Sequence, residues 1–318
     1  SFPTRRSSDL LQFHHIDYLG VAYLDEAIAL RKNGIETPIM VMNPDLDQLE
    51  IFSDYHLEPE IYNLASLKQV LTLVSKPKIH LKIDTGMHRL GFDPSEVYEI
   101  KRLLAAGTIE VAGIFTHFSM AELPLKDNFT HNQGQIFKQI YDILTEGQSH
   151  QPLKYACNSS AIIRFPEYQF DMVRLGIGLY GFDPSGSMNL AQVSVLKTRI
   201  SQIKTVKKGE YIGYGTDGRV NRHTTIAIVP IGYADGYGRV FGKGRGFMGL
   251  HDNKVPTIGN ICMDMTMLDV TGLNCSEGDR VVVFGENPSI ENLAEWAQTI
   301  PYEILTGISE RVSRIFIG

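Results

Sequence analysis

Four places in the sequence set reactive side chains just behind short apolar runs. Lys82 and Arg89 flank the polar turn Asp84-Thr85-Gly86, after Ile79–Ile83. Thr116-His117-Phe118 follows Val111–Phe115, and Arg174 stands with Gly176 in Met172-Val-Arg-Leu-Gly-Ile177. Tyr233 falls inside Gly232-Tyr-Ala-Asp-Gly-Tyr-Gly238, after Ile226–Pro230. An arginine among Met172, Val173, Leu175 and Ile177 needs a partner, because an unpaired buried charge is expensive. Taken alone, Arg174 reads equally as a functional cation and as half of a structural ion pair. Lys82 alternates with apolar neighbours and points to the inside of whatever its strand lines, where a paired structural lysine is the simpler reading. Tyr233 in a glycine-rich turn is most simply structural; to act as a base it needs its pKa brought down from ~10 by a nearby cation or proton acceptor.

Other arrangements do not carry chemistry. Gly242-Lys-Gly-Arg-Gly246 lacks the spacing of a phosphate-binding P-loop and reads as a flexible loop. His14, His15, His117, His131 and His150 show no metal-ligand spacing, so no metal is expected. Cys157, beside Asn158 and Ser159, reads as a small buried thiol.

The elements that position these residues follow from periodicity. From residue 11 to about 184 short strands alternate with amphipathic helices, ending strand runs at Asp84, Thr116, Asn158 and within Met172–Tyr180. That makes seven βα repeats, one short of a closed eight-stranded barrel, in which polar residues past strand C-termini are the candidates for chemistry. After Ser185-Gly-Ser-Met-Asn189 the texture changes to β-rich runs (Val193–Thr205, Thr224–Pro230, Lys254–Ile258, Met265–Val270, Arg280–Phe284), with helices from Ile290 to Gln298 and from Tyr302. The fold class is therefore α/β: a TIM-like barrel missing its first βα unit over 11–184, then a mostly β domain over 185–318. Residues 1–10 look like a translated sequencing adapter and are expected to be non-native, with the missing βα unit upstream of Leu11.

Composition narrows the function classes. The 318 residues carry 30 Lys+Arg against 36 Asp+Glu, a net charge of −6, which disfavours a nucleic-acid or anionic-membrane surface. No apolar run approaches the ~20 residues that span a bilayer. Three cysteines without a CxxC pair exclude a disulfide framework and suit a reducing, cytoplasmic compartment.

In order along the chain, the motifs resemble those of alanine racemase, a pyridoxal 5'-phosphate enzyme of bacterial cell-wall synthesis. They are Leu81-Lys-Ile-Asp-Thr-Gly-Met-His-Arg-Leu-Gly-Phe92, Thr116-His-Phe118, Asn158-Ser159, Arg174-Leu-Gly-Ile177 with Tyr180-Gly181, Gly232-Tyr-Ala-Asp-Gly-Tyr237, Met263-Asp-Met265 and Tyr302-Glu-Ile-Leu305. The resemblance runs from about Tyr18 to Arg314. It implies a barrel plus a β domain working as a homodimer, with L- and D-alanine interconverted through a cofactor aldimine and proton transfer at Cα, supplying D-alanine for peptidoglycan. Arg174 would bond the cofactor's pyridine nitrogen. Ser159, Tyr302 and the amides near Gly176 and Ile177 would hold the phosphate, with Asn158 and His117 as neighbours. Arg89 would orient the substrate or the cofactor's phenolic oxygen, positioned by Lys82, a lysine that some relatives carry carbamylated. Tyr233 would be the L-side base and Met263 a carboxylate contact, both reaching in from the partner copy.

The D-side base of the family is the Schiff-base lysine of a Lys-Ala-Asn-Ala-Tyr-Gly type motif, and no such motif occurs in these 318 residues. The chain as written is therefore expected to be inactive by itself, the alternative being a non-catalytic cofactor- or partner-binding barrel. Two departures are smaller. Leu175 stands where relatives have proline, and Tyr155 stands where many have a histidine supporting the arginine.

Overall fold

The apolar runs of the first half pair side by side as parallel strands in sequence order: β1 Leu19–Val21, β2 Ile39–Val41, β3 Leu57–Ile61, β4 Ile79–Lys82, β5 Val111–Phe115 and β6 Leu153–Tyr155. The coordinates are a computed structural model that describes Ser8 and residues 11–106 and 108–317. Apart from Ser8, the segment read as non-native lies outside the described residues. Two units separate: Ser1–Gly178 with Asp183–Asn189, and Leu179–Phe182 with Leu190–Gly318.

In the first unit, helices alternate with the strands, which is the connectivity of a TIM-like barrel wall. Their apolar faces, among them Leu30, Leu67, Ile100 and Phe137, pack into one core with the strand residues Val21, Ile39, Ile61 and Leu81. The helix Asp127–Thr145 buries Phe137, Ile140 and Leu144. β3 is buried throughout although it carries Glu58, Pro59 and Glu60. Its two glutamates are tolerated because β4 answers each with a cation-forming side chain, as described below.

The expected seventh strand is corrected. Over Met172–Tyr180, Met172 makes one isolated parallel bridge with Tyr155, and the Arg174 amide donates to the Cys157 carbonyl at 2.9 Å. Ile177–Tyr180 then closes into a 3-10 turn. The physical reason is local: the amides of Gly176 and Gly178 turn onto Ser159 Oγ, at 3.0 and 3.2 Å, instead of a strand partner.

The second unit contains two antiparallel sheets. One has the order β11 (Asn253–Pro256), β10 (Phe247–Leu250), β13 (Arg280–Phe284), β7 (Leu196–Arg199). The other runs β12 (Thr266–Asp269), β9 (Thr224–Val229), β8 (Gln202–Val206). The single run read over Val193–Thr205 is thus two strands belonging to different sheets. Met248, Val255, Leu268, Val281 and Leu293 build the core between them.

One glycine in β5 is set by packing inside the barrel wall. A Cβ on Gly113 would lie 2.7 Å from His80 Nδ1 and 2.8 Å from a Tyr155 ring carbon. Neither neighbour can move freely, since the two are hydrogen-bonded to each other at 2.8 Å. Gly113→Ala is expected to lower stability by about 1–3 kcal/mol through overpacking, read from urea unfolding of the chain. An unchanged midpoint would contradict this packing.

Candidate active site

Arg174 is held from three directions at the end of the barrel strands. Its Nη1 donates to His117 Nδ1 at 2.9 Å, and its Nη2 donates to the carbonyls of Thr116 and Ala156 at 2.8 and 3.0 Å. The guanidinium lies over the Phe115 ring, 5.1 Å from its centroid. Phe115 is itself stacked on Tyr155 at 4.8 Å. Each acceptor comes from the residue just past a strand: Thr116 and His117 after β5, Ala156 after β6. Arg174 Nε is buried without a hydrogen-bond partner, so one donor of a charged side chain is presented to whatever fills the space beside it.

His117 accepts from an arginine, so its Nδ1 carries a lone pair and any ring proton sits on Nε2. Burial, then the positive charges of Arg174, Arg89 and Lys82, push its pKa down to about 2. The imidazole is neutral at any working pH, which suits it to hold a guanidinium. Tyr155, at the position where a histidine was expected to support the arginine, turns elsewhere. Its hydroxyl meets His80 Nδ1 at 2.8 Å and Met40 Sδ at 3.2 Å. Among the described side chains the hydrogen bond to Arg174 comes from His117, while the Tyr155 ring lies 5.9 Å from the guanidinium.

Beside this clamp, Asn158 caps the helix Ser159–Arg164, its Oδ1 accepting from the Ala161 amide at 3.0 Å and its Nδ2 donating to the Phe118 carbonyl at 3.1 Å. Ser159 Oγ gathers the Gly176 and Gly178 amides, with Ile177 between them. The Ser159 hydroxyl at a helix start and the two backbone N–H groups now bonded to it are a candidate cradle, whose donors an oxyanion such as a phosphate would take over.

Lys82 and Arg89 are carried by β4 and the turn after it. Asp84 Oδ1 accepts from the amides of Gly86, Met87 and His88. Gly91, at φ +135°, passes so close that a Cβ there would lie 2.5 Å from the Asp84 nitrogen. This turn fixes the backbone around Arg89, whose side chain is exposed. Lys82 Nζ donates to Glu60 Oε1 at 2.9 Å. One layer along the same strands, His80 Nε2 meets Glu58 Oε2 at 2.7 Å. Sequence reasoning missed Glu60. The signal was present in the matching alternation of Glu58/Glu60 with His80/Lys82.

In the second unit the turn with Tyr233 is bound to the loop with Met263. The Tyr233 and Ala234 amides donate to the carbonyls of Cys262 and Met263 at 3.1 and 3.0 Å. Arg311, also missed, fastens both. Its Nε donates to Asp235 Oδ1 at 2.7 Å and its Nη2 to Asp264 Oδ1 at 2.6 Å. Gly236, at φ +108°, lies against the Gly307 carbonyl that ends the helix Pro301–Gly307 carrying Tyr302. Tyr233, Met263 and Tyr302 are each substantially exposed, at 41 %, 53 % and 41 %. The first unit thus joins Arg174 to His117 and, separately, Ser159 to Gly176 with Asn158 capping the adjoining helix, and the second fixes the turn of Tyr233 to the loop of Met263 and the end of the helix carrying Tyr302.

Comparison with known proteins places this geometry. Residues 6–184 match the family described as alanine racemase, N-terminal domain, and residues 193–316 match alanine racemase, C-terminal domain. An alanine racemase of Halothermothrix orenii is 39 % identical over 311 residues, covering 93 % of this chain and 82 % of the relative. One from Helicobacter pylori (strain J99) is 35 % identical over 334 residues, covering 98 % and 88 %. Among solved structures, alanine racemase from Bacillus anthracis with bound L-Ala-P superposes with a TM-score of 0.89 at 30 % identity, covering 98 % of this chain and 84 % of that one. Alanine racemase from Bartonella henselae with covalently bound pyridoxal phosphate superposes at 0.90 and 27 % identity, covering 98 % and 88 %. Both halves of the chain match: the chain belongs to the alanine racemase family, whose members are amino-acid racemases.

Proposed function

We propose that the cradle around Arg174 binds pyridoxal 5'-phosphate and that the site is built for the interconversion of L- and D-alanine, the D-alanine serving peptidoglycan synthesis. The observation that carries this is the buried, unpartnered Arg174 Nε, a donor aimed at an acceptor the protein does not supply. A pyridine nitrogen is such an acceptor. Arginine keeps its proton, so the ring nitrogen it faces stays largely unprotonated. When bound, the cofactor supplies a sink for negative charge at the amino acid's Cα, and this pairing makes the sink a weak one. By keeping its own proton, Arg174 would favour return of the Cα proton over transfer of the amino group.

The remaining roles follow from chemistry at each position. Ser159 and the amides near Gly176 and Ile177 hold the phosphate, and Asn158 keeps the helix start in place. His117, neutral, steadies Arg174. Arg89 orients the substrate or the cofactor's phenolic oxygen. Met263 offers its backbone amide to the substrate carboxylate, and Tyr233 exchanges the proton at Cα on the L-side face. In this reading Tyr233 and Met263 serve the site of a second copy, so the working form is a homodimer in the cytoplasm, with no nucleic-acid or membrane partner. No helix among the described residues is long and apolar enough to cross a membrane. No cluster of three or more His, Cys, Asp or Glu side chains among them could hold a metal ion. No Lys-Ala-Asn-Ala-Tyr-Gly motif is present for the opposite face of Cα. For the 318-residue chain taken alone we accordingly propose cofactor binding without turnover.

Absorbance titration with pyridoxal 5'-phosphate tests the cradle. Saturable binding is expected, weakened roughly ten- to hundredfold in Arg174→Gln, the loss of about 1.5–3 kcal/mol for a hydrogen bond to a charged group. Equal affinity in the variant would remove Arg174 from the site. Chiral analysis of L-alanine incubated with the loaded chain should find no D-alanine; its formation would overturn the no-turnover proposal while supporting the racemase site.

His117 gives a second test, in stability. Between its ordinary value of 6.5 and about 2 the unfolded chain binds a proton that the folded one refuses. Stability therefore rises with pH through this window and falls on acidification, by about 1.4 kcal/mol per pH unit for one full proton. His117→Asn keeps an acceptor oxygen near Nδ1 without titrating. Urea unfolding from pH 6 down to 4 should show the acid slope reduced by about one proton in the variant, and an unaltered slope would mean His117 is not held neutral.

A further inference from the structure

Glu60 is 1 % exposed, and its two oxygens have different fates. Oε1 accepts from Lys82 Nζ at 2.9 Å, while Oε2 is buried with no partner. Around it stand three cations, Lys82, Arg174 and Arg89, all within electrostatic range. Lys82 and Arg174 also share one aromatic ring, lying 5.7 and 5.1 Å from the Phe115 centroid. A buried carboxylate with a free oxygen is costly unless the charges around it need an anion. This one stands on β3, facing β4, where its side chain is fixed by the strand.

We propose that Glu60 is the built-in counter-charge of this cation cluster, a positioning residue whose carboxylate already holds Lys82 Nζ and leaves it no role as a carbamate carrier. Carbamylation joins a neutral ε-amine to the carbon of carbon dioxide. The amine lone pair forms the N–C bond, one proton leaves to solvent, and the product is an anion. With Glu60 ionised 2.9 Å away, that product would remove the ion pair and set two anions side by side in a buried space. Burial raises the Glu60 carboxyl above the usual range, with Lys82, then Arg174 and Arg89, pulling it back. The three cations thus supply the setting in which one internal carboxylate is both tolerated and required. A relative without an acid at this position would have to bring its negative charge from elsewhere.

The test uses the full chain in 13C-bicarbonate, with 13C NMR for a carbamate carbonyl and Lys82→Met to assign it. Wild type is expected to show no resonance that the Lys82 substitution removes. Glu60→Gln, which keeps an acceptor but loses the charge, is expected to gain one that disappears in Glu60→Gln/Lys82→Met. A Lys82 carbamate in wild type would overturn the proposal, and so would a folded Glu60→Gln that gains none. Should Glu60→Gln fail to fold, the wild-type spectrum still decides. Neither cofactor nor turnover enters the readout, so failure of the functional reading above would leave this result standing on its own.

Discussion

Holding a half-buried guanidinium beside the ends of β5 and β6, with its Nε fully buried, is the constraint around which the barrel site is organised. Arg174 cannot shed its proton, so five N–H donors have to be answered or the fold loses several kcal/mol. The chain answers with two backbone carbonyls and one neutral imidazole, all from residues that follow strands. That choice leaves the charge uncompensated by a contacting carboxylate and leaves Nε open. A carboxylate in place of His117 would neutralise Arg174 and close the site. A histidine whose own proton is suppressed by burial and by the cations around it gives support without cancelling the charge.

The same economy explains the interior of the barrel wall. β3 and β4 would ordinarily be apolar throughout, being buried on both faces. Here alternate positions carry Glu58 and Glu60, whose side chains bond His80 and Lys82 diagonally across the register in two successive layers. The outer layer sits among Arg174, Lys82 and Arg89 and bears on the chemistry. The inner one, with the Tyr155 hydroxyl on His80, fills space that a histidine at position 155 would occupy differently. Gly113 is small because these rings converge on it.

Much of this was legible in the sequence, for reasons that can be named. Alternation marked Lys82 as buried, which it is, whereas Arg174 is half-buried and its apolar neighbours Val173 and Leu175 are exposed. The glycines of 232–238 marked a tight turn at Tyr233. What escaped depends on distant partners or on the backbone. The Thr116 and Ala156 carbonyls have no sequence signature as acceptors. Arg311 reaches Asp235 and Asp264 across 76 and 47 residues. Met172–Tyr180 has strand composition, yet the Ser159 hydroxyl competes for its amides and wins. Glu60 lay one residue past a proline, in a strand whose charged residues argued against burial until their partners were placed.

The claim on which the account stands is that Arg174 meets the cofactor's ring nitrogen as a donor that never gives up its proton. The most direct measurement is the 15N chemical shift of pyridoxal 5'-phosphate labelled at the ring nitrogen and bound to the chain. The shift of an unprotonated, hydrogen-bonded pyridine is expected. A pyridinium shift would contradict it, because that state requires an acidic partner that the contacts around Arg174 do not include.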